Sequence, residues 1–387
     1  MTVTGVPAGI SDPVNKAILA VSEDRLQGFQ PDPFGEIAER CGLPVALVIE
    51  RVRAMLEAGT IRRVRQTLLS TNIAEGALVA WRVEPARLDG AFDFMFRDDP
   101  FSGHVVVRST DAATAGSAYR LWTTVKVPQG FSLARHCAYL ARRAGAEAYR
   151  IMPARCLFAL GVGHVRRRGM QPGARAAEPA DILPVARVRL SELEWRVLGA
   201  LKREFEPGEL RRDLWQARAA EAGLPVSAFV EVARSLEGRK LIGRFSTFLE
   251  HVKEHADGER VTRYNALFHW AVPPGREIDA GREVGRHLIV THAYWREAGP
   301  EFGNVNIMAV VHGVDKAEVL AHKAAIDAHL RAAGIEAAYS NVFWGGRSEI
   351  KPSEIMPSAY AEWCRREGID PDEMREEAPE DDADRTS

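Results

Sequence analysis

Gly42-Leu43-Pro44-Val45 recurs as Gly223-Leu224-Pro225-Val226 about 180 residues further on, and the matches continue in the same order. Leu56-Glu57 answers to Leu236-Glu237 with a one-residue slip, while Ile61 and Arg63 answer to Ile242 and Arg244 at the original offset. Downstream, Leu78-Val79-Ala80-Trp81 faces Leu267-Phe268-His269-Trp270. A chance tetrapeptide would not bring collinear neighbours with it, so the chain reads as an internal duplication.

Within each half the hydrophobic period changes partway along. From Val14 to Val64 apolar residues fall at helical spacing: Ile18 and Leu19, Ile37 and Ala38, then Val48, Ile49, Val52, Met55 and Leu56. Gly42 and Pro44 interrupt two short helices and Gly59 closes the last, which predicts helix–helix–turn–helix with a wing after it. The second copy runs from Glu194 to Phe245 with Gly223 and Pro225 as its turn. A strand–helix–strand–strand–helix–strand order follows each copy. It reads Ala77–Val83, Leu88–Phe96, His104–Arg108, Tyr119–Val127, Leu133–Ala144 and Ala148–Leu157 in the first half. In the second it reads Asn265–Val272, Ile278–His287, Leu288–Tyr294, Val305–His312, Lys316–Ala333 and Ala337–Phe343. This βαββαβ order is the ferredoxin-like signature.

The predicted fold class is therefore α+β: a tandem duplication of a winged-helix/helix-turn-helix domain followed by a ferredoxin-like βαββαβ domain. The predicted boundaries are 1–70 and 71–160 for the first copy, 161–190 for a linker, 191–250 and 251–356 for the second copy, and 357–387 for a C-terminal segment. The linker is rich in Arg, Gly, Pro and Ala between Arg166 and Ala186. Pro371 to Ser387 is acidic and nearly free of apolar residues, which predicts a disordered tail.

A net charge of −2 over 387 residues argues against bulk affinity for nucleic acid or membranes. No apolar run is long enough to span a bilayer, and the first ten residues have neither a basic nor an apolar signal region. Cys41, Cys137, Cys156 and Cys364 are scattered with no CxxC pair, which predicts reduced thiols in a cytoplasmic protein and no zinc site.

A helix-turn-helix followed by βαββαβ resembles the Lrp/AsnC family. A narrower resemblance lies in Val290-Thr291-His292-Ala293-Tyr294, followed by Asn304-Val305-Asn306-Ile307-Met308-Ala309-Val310-Val311-His312-Gly313. These segments are similar to two strands of the sirohaem decarboxylases, with Ala293 where that family has Cys and Val305 where it has Tyr. Tyr119-Arg120-Leu121-Trp122-Thr123-Thr124 is similar to a strand of the partner subunit in the same family. The resemblance implies a tetrapyrrole-processing lyase that removes acetate carboxyl groups from a sirohaem-type substrate. It implies no organic cofactor, with an iron tetrapyrrole as substrate or ligand. It also implies two subunit equivalents fused into an intramolecular pseudo-heterodimer.

Such chemistry needs cations for the carboxylates, a proton donor and a dry leaving group. His292 and Tyr294 lie two residues apart and share a strand face, which makes them the candidate catalytic pair; the alternative is a packed His beside a packed Tyr. His292 is also a candidate axial ligand for a substrate iron. Arg108 and Arg120 are candidates for pairing carboxylates, because guanidinium binds them bidentately. Tyr119 and Trp122 are candidates for stacking on a macrocycle, or else for the core. Asn306 and His312 complete the candidate substrate contacts in the second half, and Lys126 aligns with His312. No His is aligned with His292 in the first half, where Arg108 or a neighbour takes the place. One competent site per chain is the expectation.

Arg166-Arg167-Arg168 reads as a solvated segment beside the linker. The recognition-helix candidates, with Glu50, Arg51 and Arg53 in one copy and Glu231 and Arg234 in the other, are nearly charge-balanced, which predicts weak DNA binding or none. Two alternatives stand beside the enzyme: a ligand-responsive transcriptional regulator and a non-catalytic tetrapyrrole carrier.

Overall fold

The computed structural model describes residues 5–161, 163–185, 188–250 and 261–377. The first half runs α1 (Pro13–Ser22), β1 (Leu26–Gln27), α2 (Pro33–Cys41), α3 (Val45–Glu57), β2 (Ile61–Leu68), β3 (Glu75–Val83), α4 (Leu88–Arg97), β4 (Ser102–Ser109), β5 (Leu121–Val127), α5 (Leu133–Ala144) and β6 (Ala146–Leu160). The stretch between the halves adds α6 (His164–Arg167) and β7 (Leu183–Pro184). The second half runs α7 (Glu192–Lys202), α8 (Trp215–Glu221), α9 (Val226–Gly238), β8 (Ile242–Leu249), β9 (Tyr264–Ala271), α10 (Glu277–Gly285), β10 (His292–Arg296), β11 (Ile307–Gly313), α11 (Lys316–Ala332), β12 (Tyr339–Ile350) and α12 (Pro357–Arg366). The fold is mixed α and β. No helix among the described residues is long and apolar enough to cross a membrane.

The repeated tetrapeptide has a physical reason in both copies. Gly42 and Gly223 adopt left-handed φ of 65° and 67°, where a Cβ would be strained. Each ends a helix with the same pair of turns: Leu43 N reaches Ala38 O at 2.9 Å, and Leu224 N reaches Ala219 O at 2.9 Å. Pro44 and Pro225 then cap α3 and α9, where a missing N–H costs nothing. Asp12 caps α1 through Val14 N and Asn15 N, and Ser191 and Glu194 form a reciprocal capping box on α7.

The chain forms two compact units that cut across the sequence repeat. The smaller comprises Ile73–Ser109, Gly116–Pro153 and Gly346–Ser387; the larger comprises Met1–Asn72, Thr110–Ala115 and Ala154–Gly345. The first half's βαββαβ element therefore carries the second half's C-terminal tail, and the second half's carries the residues between the halves.

In the smaller unit β3 lies between β5 and β6, and β4 flanks β5, all antiparallel. Trp81, Phe92, Val125 and Leu140 pack with Tyr360, Trp363 and Cys364 of α12 in one core. The spacing of Leu88, Ala91, Phe92 and Met95 gives α4 its buried face. His136 on α5 ties the tail down: Nδ1 lies 3.0 Å from the Tyr360 hydroxyl and Nε2 3.3 Å from Asp99 Oδ1, all buried. Part of the predicted acidic tail is ordered as well. Ser132 N donates to Met374 O at 2.8 Å and Phe131 bridges Arg375, because Met374 supplies the apolar anchor that the composition hid. Residues 378–387 of that tail lie outside the described residues, as does the predicted domain start at 251.

In the larger unit β8 pairs with β2 and β1, joining the helical segments of both halves in one three-stranded sheet. β9 lies between β11 and β12, and β10 between β11 and the end of β6. Phe268, Trp270, Ile307, Val311, Val319, Ile326 and Leu330 form the core beneath α10 and α11, together with Phe158 of β6. A Cβ on Gly281 would lie 2.0 Å from Phe158 Cε2, so α10 needs glycine there for β6 to approach. The stretch predicted as a linker is docked in its described part. Ala176 N donates to Arg286 O (2.9 Å), Leu288 N to Ala174 O (3.0 Å), and Arg282 Nε to Ala180 O (3.0 Å). Its Gly/Pro composition removes apolar anchors, but its carbonyls find the arginines of α10.

Candidate functional site

β10 exposes its two faces differently. Ala293 belongs to the helix-side core with Ala309 and Val311, so His292, Tyr294 and Arg296 lie on the opposite face. The rings of His292 and Tyr294 lie 6.1 Å apart at an interplanar angle of 14°, and Arg296 Cζ sits 4.5 Å from the Tyr294 centroid. The predicted pairing of His292 with Tyr294 is present, and a third residue of the same parity extends it.

The His292 tautomer follows from its neighbours. The Thr291 hydroxyl donates its one proton to Val310 O at 3.0 Å, so at 3.1 Å it accepts from His292 Nδ1. Nε2 then carries the lone pair. Burial, followed by the positive charges of Arg244, Arg167 and Arg296, pushes the His292 pKa down to about 3. A neutral imidazole amid three guanidinium groups is a poor acid at neutral pH and a good electron-pair donor. Burial raises the Tyr294 phenol, opposed by Arg296, and holds Arg296 down to about 10.

The cations come from three parts of the larger unit. Arg244 is on β8, one of the residues that exposed the repeat, and its Nε donates to Glu23 O at 3.2 Å. Arg167 donates to Asp24 Oδ2 at 3.1 Å and Leu288 O at 2.8 Å, so this member of the triple-arginine run is pinned, in contrast to the solvated segment expected. Glu23 ends the same wall at the end of α1. It accepts from Val165 N at 3.0 Å, and burial with the nearby Asp24 charge drives its carboxyl up to about 7.

His312 ends β11, where its ring meets His164 edge-on at 4.9 Å. Both line a small cavity with Arg167, Thr291 and His322, which has room for water. The Asn306 carboxamide is held by Val272 N at 2.8 Å and Val272 O at 2.9 Å, which makes it a clasp between β9 and β11. Trp122 is fully buried with its indole N–H donating to Tyr119 O at 2.7 Å. Arg120 is exposed, Lys126 half-buried and Arg108 buried. These last five belong to the smaller unit, and His292, Tyr294, Asn306 and His312 to the larger. Among the described residues no group of three His, Cys, Asp or Glu converges as a metal site.

Ladder register corrects the alignment of the halves. Trp81 pairs with Leu121, which pairs with Val107; Trp270 pairs with Ile307, which pairs with Trp295. Three residues back from Val107 and Trp295 stand His104 and His292, facing Thr124 and Val310. One residue ahead stand Arg108 and Arg296, whose amides bond Arg120 O (2.7 Å) and Asn306 O (3.0 Å). A histidine does occupy the matching first-half position, and Arg108 matches Arg296 instead. Sequence reasoning missed Arg296, Arg244, Arg167, Glu23 and His104. Strand alternation beyond Tyr294 reaches Arg296; the others need the fold.

Residues 73–159 and 262–342, one stretch in each half, match the model of the AsnC-like ligand binding domain family. It is 26% identical over 102 residues to the siroheme decarboxylase beta subunit of Desulfovibrio desulfuricans, a match spanning 26% of this chain and 60% of that protein. The chain thus matches about three fifths of the length of this curated relative. The crystal structure of the siroheme decarboxylase NirDL superposes with a TM-score of 0.63 at 17% identity, covering 92% of this chain and 100% of that one. The same enzyme in co-complex with an iron-uroporphyrin III analogue gives 0.62 at 18% identity, covering 92% and 97%. The chain resembles the sirohaem decarboxylases, and its overall fold is theirs.

Proposed function

We propose that this protein is a tetrapyrrole-processing carboxy-lyase, acting on the acetate carboxyl groups of a sirohaem-type substrate, in which one chain fuses two subunit equivalents. Each half is read as a winged-helix-type segment followed by a ferredoxin-like domain. The observation that carries the proposal is His292: a neutral imidazole with its Nε2 lone pair available, set beside Arg167, Arg244 and Arg296. That combination suits an anionic ligand bearing an electron-pair acceptor such as iron. The similarity to siroheme decarboxylases, and the iron-uroporphyrin analogue bound by one of them, support the same reading.

In this reading the guanidinium groups hold the non-reacting carboxylates and Nε2 ligates the iron carried by the substrate. Loss of carbon dioxide breaks the bond between the carboxyl and the methylene carbon. The electron pair stays on that carbon, which takes one proton to become a methyl group. Tyr294 is the proton donor, because its raised phenol stays protonated and shares the His292 face. No electron acceptor or organic cofactor is required by this balance.

The regulator reading is disfavoured by how the α3 arginines are used. Arg53 donates to Pro207 O at 3.1 Å and Leu210 O at 2.6 Å; Arg51 bonds Pro7 O at 3.2 Å and lies 3.3 Å from Asp12. Neither presents an unengaged charge to phosphate.

The test is iron-uroporphyrin III titrated into wild type and His292→Ala, followed by Soret absorbance and carbon dioxide release. The expected result is a Soret shift and turnover in wild type, both lost in the variant at unchanged thermal stability. A variant that binds iron-uroporphyrin III with the wild-type spectrum and turns over normally refutes the assignment.

A further inference from the structure

The stretch that joins the halves is fastened to α10 beside a pair of histidines that the His292 site does not use. His287, just beyond α10, and His329, on α11, face each other with Nε2 2.8 Å from Nδ1. His329 Nε2 lies 3.0 Å from Glu283 Oε2, and Arg286 Nη1 donates to the same oxygen at 2.9 Å. Arg286 also reaches the stretch itself. Its Nε and Nη2 donate to Ala176 O at 3.2 and 3.1 Å, and its carbonyl accepts from Ala176 N at 2.9 Å. Arg175 forms an antiparallel bridge with His287, and Leu288 N donates to Ala174 O at 3.0 Å. Ala180 packs over Gly285, where an added Cβ would lie 2.7 Å from the Ala180 Cβ.

The hydrogens in this chain of groups run one way. A carboxylate only accepts, so His329 Nε2 carries its hydrogen and, in the neutral ring, Nδ1 carries the lone pair. His287 Nε2 then donates to it. Neither imidazole takes up a further proton without loss. A proton added to His329 enters at Nδ1 and sets two N–H groups against each other across 2.8 Å. A proton added to His287 makes a buried cation faced by Arg175, Arg286 and His322. Glu283 supplies the opposing charge, and Arg286 already shares it. We propose that the His287–His329 pair is an acid-sensitive latch that holds residues 174–180 against α10 and releases them when it takes up protons.

The direction follows from the charges. Burial, then His329, Arg175, Arg286 and His322, lower His287 from 6.5 to about 4. Burial, then Arg175, lower His329 against the pull of Glu283, and Arg286 adds to the lowering. Once the stretch is released His287 returns toward its ordinary value, so docking is complete above 6.5 and is lost as pH falls toward 4. Through His287 alone, the docking equilibrium at pH 5 falls by up to about thirtyfold from its value at pH 8, and His329 adds in the same direction. α6 stays in place, because Asp24 holds Arg167 and Glu23 holds Val165 N. Release therefore lengthens the free chain between α6 and β7 and uncovers Gly285, while the cations around His292 keep their positions.

The test is hydrogen exchange of the full chain by mass spectrometry at pH 8 and pH 5, with protection corrected for the pH dependence of intrinsic exchange. Peptides covering residues 171–180 and 284–290 are expected to lose protection by about ten- to thirtyfold at pH 5, while α5 in the smaller unit keeps its own. His287→Gln retains a donor for His329 Nδ1 and has no proton to gain, so its loss should shrink to a few-fold. His329→Gln serves in the same way if circular dichroism shows that His287→Gln does not fold. Protection of the stretch that is the same at both pH values in wild type overturns the latch. So does a loss in a folded variant equal to that of wild type, which assigns the response to other groups, and so does a parallel loss in α5, which makes the opening global.

Discussion

Glu23→Gln isolates a single proton in the wall of the His292 site. Glu23 is 1% exposed; Oε2 accepts from Val165 N at 3.0 Å, and Oε1 has no hydrogen-bond partner among the described residues. Its carboxyl moves from 4.5 to about 7 on folding, chiefly through burial and with a contribution from Asp24. Below the lower value both states are protonated and the group is neutral in each. As pH rises the unfolded chain releases its proton first, so stability present in acid is lost progressively through the folded value. At about 1.4 kcal/mol per pH unit, the full loss is about 3 kcal/mol, nearly all of it incurred by pH 8. Gln keeps the acceptor for Val165 N and carries no proton to lose. The stability difference between Glu23→Gln and wild type should therefore grow by about 2–3 kcal/mol between pH 5 and pH 8, measured by urea unfolding at both values. A difference that stays constant across that range, or shrinks, would refute the reasoning by showing that Glu23 is charged in the folded protein.

Further expectations test other parts of the structure. Asp99→Asn should cost about 1–3 kcal/mol, because it removes the buried carboxylate that faces His136, and amide exchange in α12 should accelerate; an unchanged melting temperature would count against this tie between α5 and the tail. Gly281→Ala should destabilise by about 1–3 kcal/mol through collision with Phe158, and Phe158→Ala in the same chain should cost less than it does alone; strict additivity would deny the contact. The spectrum of bound iron-uroporphyrin III should hold from pH 8 to pH 5, since His292 protonates only near 3; loss of ligation around pH 6.5 would mean that the imidazole is not shielded. No nanomolar DNA footprint should appear at physiological salt; one that vanishes on replacing Arg51 and Arg53 would favour the regulator.

Local chemistry was legible wherever it decided the local structure. α5 spans Leu133–Ala144 as its sequence indicated, because Ser132 caps one end and Gly145, at φ 63°, terminates the other. The His292–Tyr294 face was legible from strand alternation alone. The pinned stretch between the halves was not, since nothing in a Gly/Pro-rich segment announces that its carbonyls will meet Arg282 and Arg286. Nor was His104. Aligning Arg108 with His292 keeps a polar residue opposite a polar residue, and only the hydrogen-bond ladder shows that the count is wrong by four. Arg167 and Arg244 lie far from His292 in sequence, and a charge acting through space leaves no periodic trace.

The exchange of tails sets a schedule for synthesis. The core around Trp81 and Phe101 is closed by Tyr360 and Trp363, which leave the ribosome roughly 200 residues after Pro153, the last first-half residue of that unit. At ~5–20 residues per second that interval is ~10–40 s, during which the first βαββαβ element exists with its helix face uncovered. Such a nascent chain is a client for holdase chaperones, and slow codons between the halves would lengthen its exposure. A gene split between the halves would instead require both products to be present together before either could close its core.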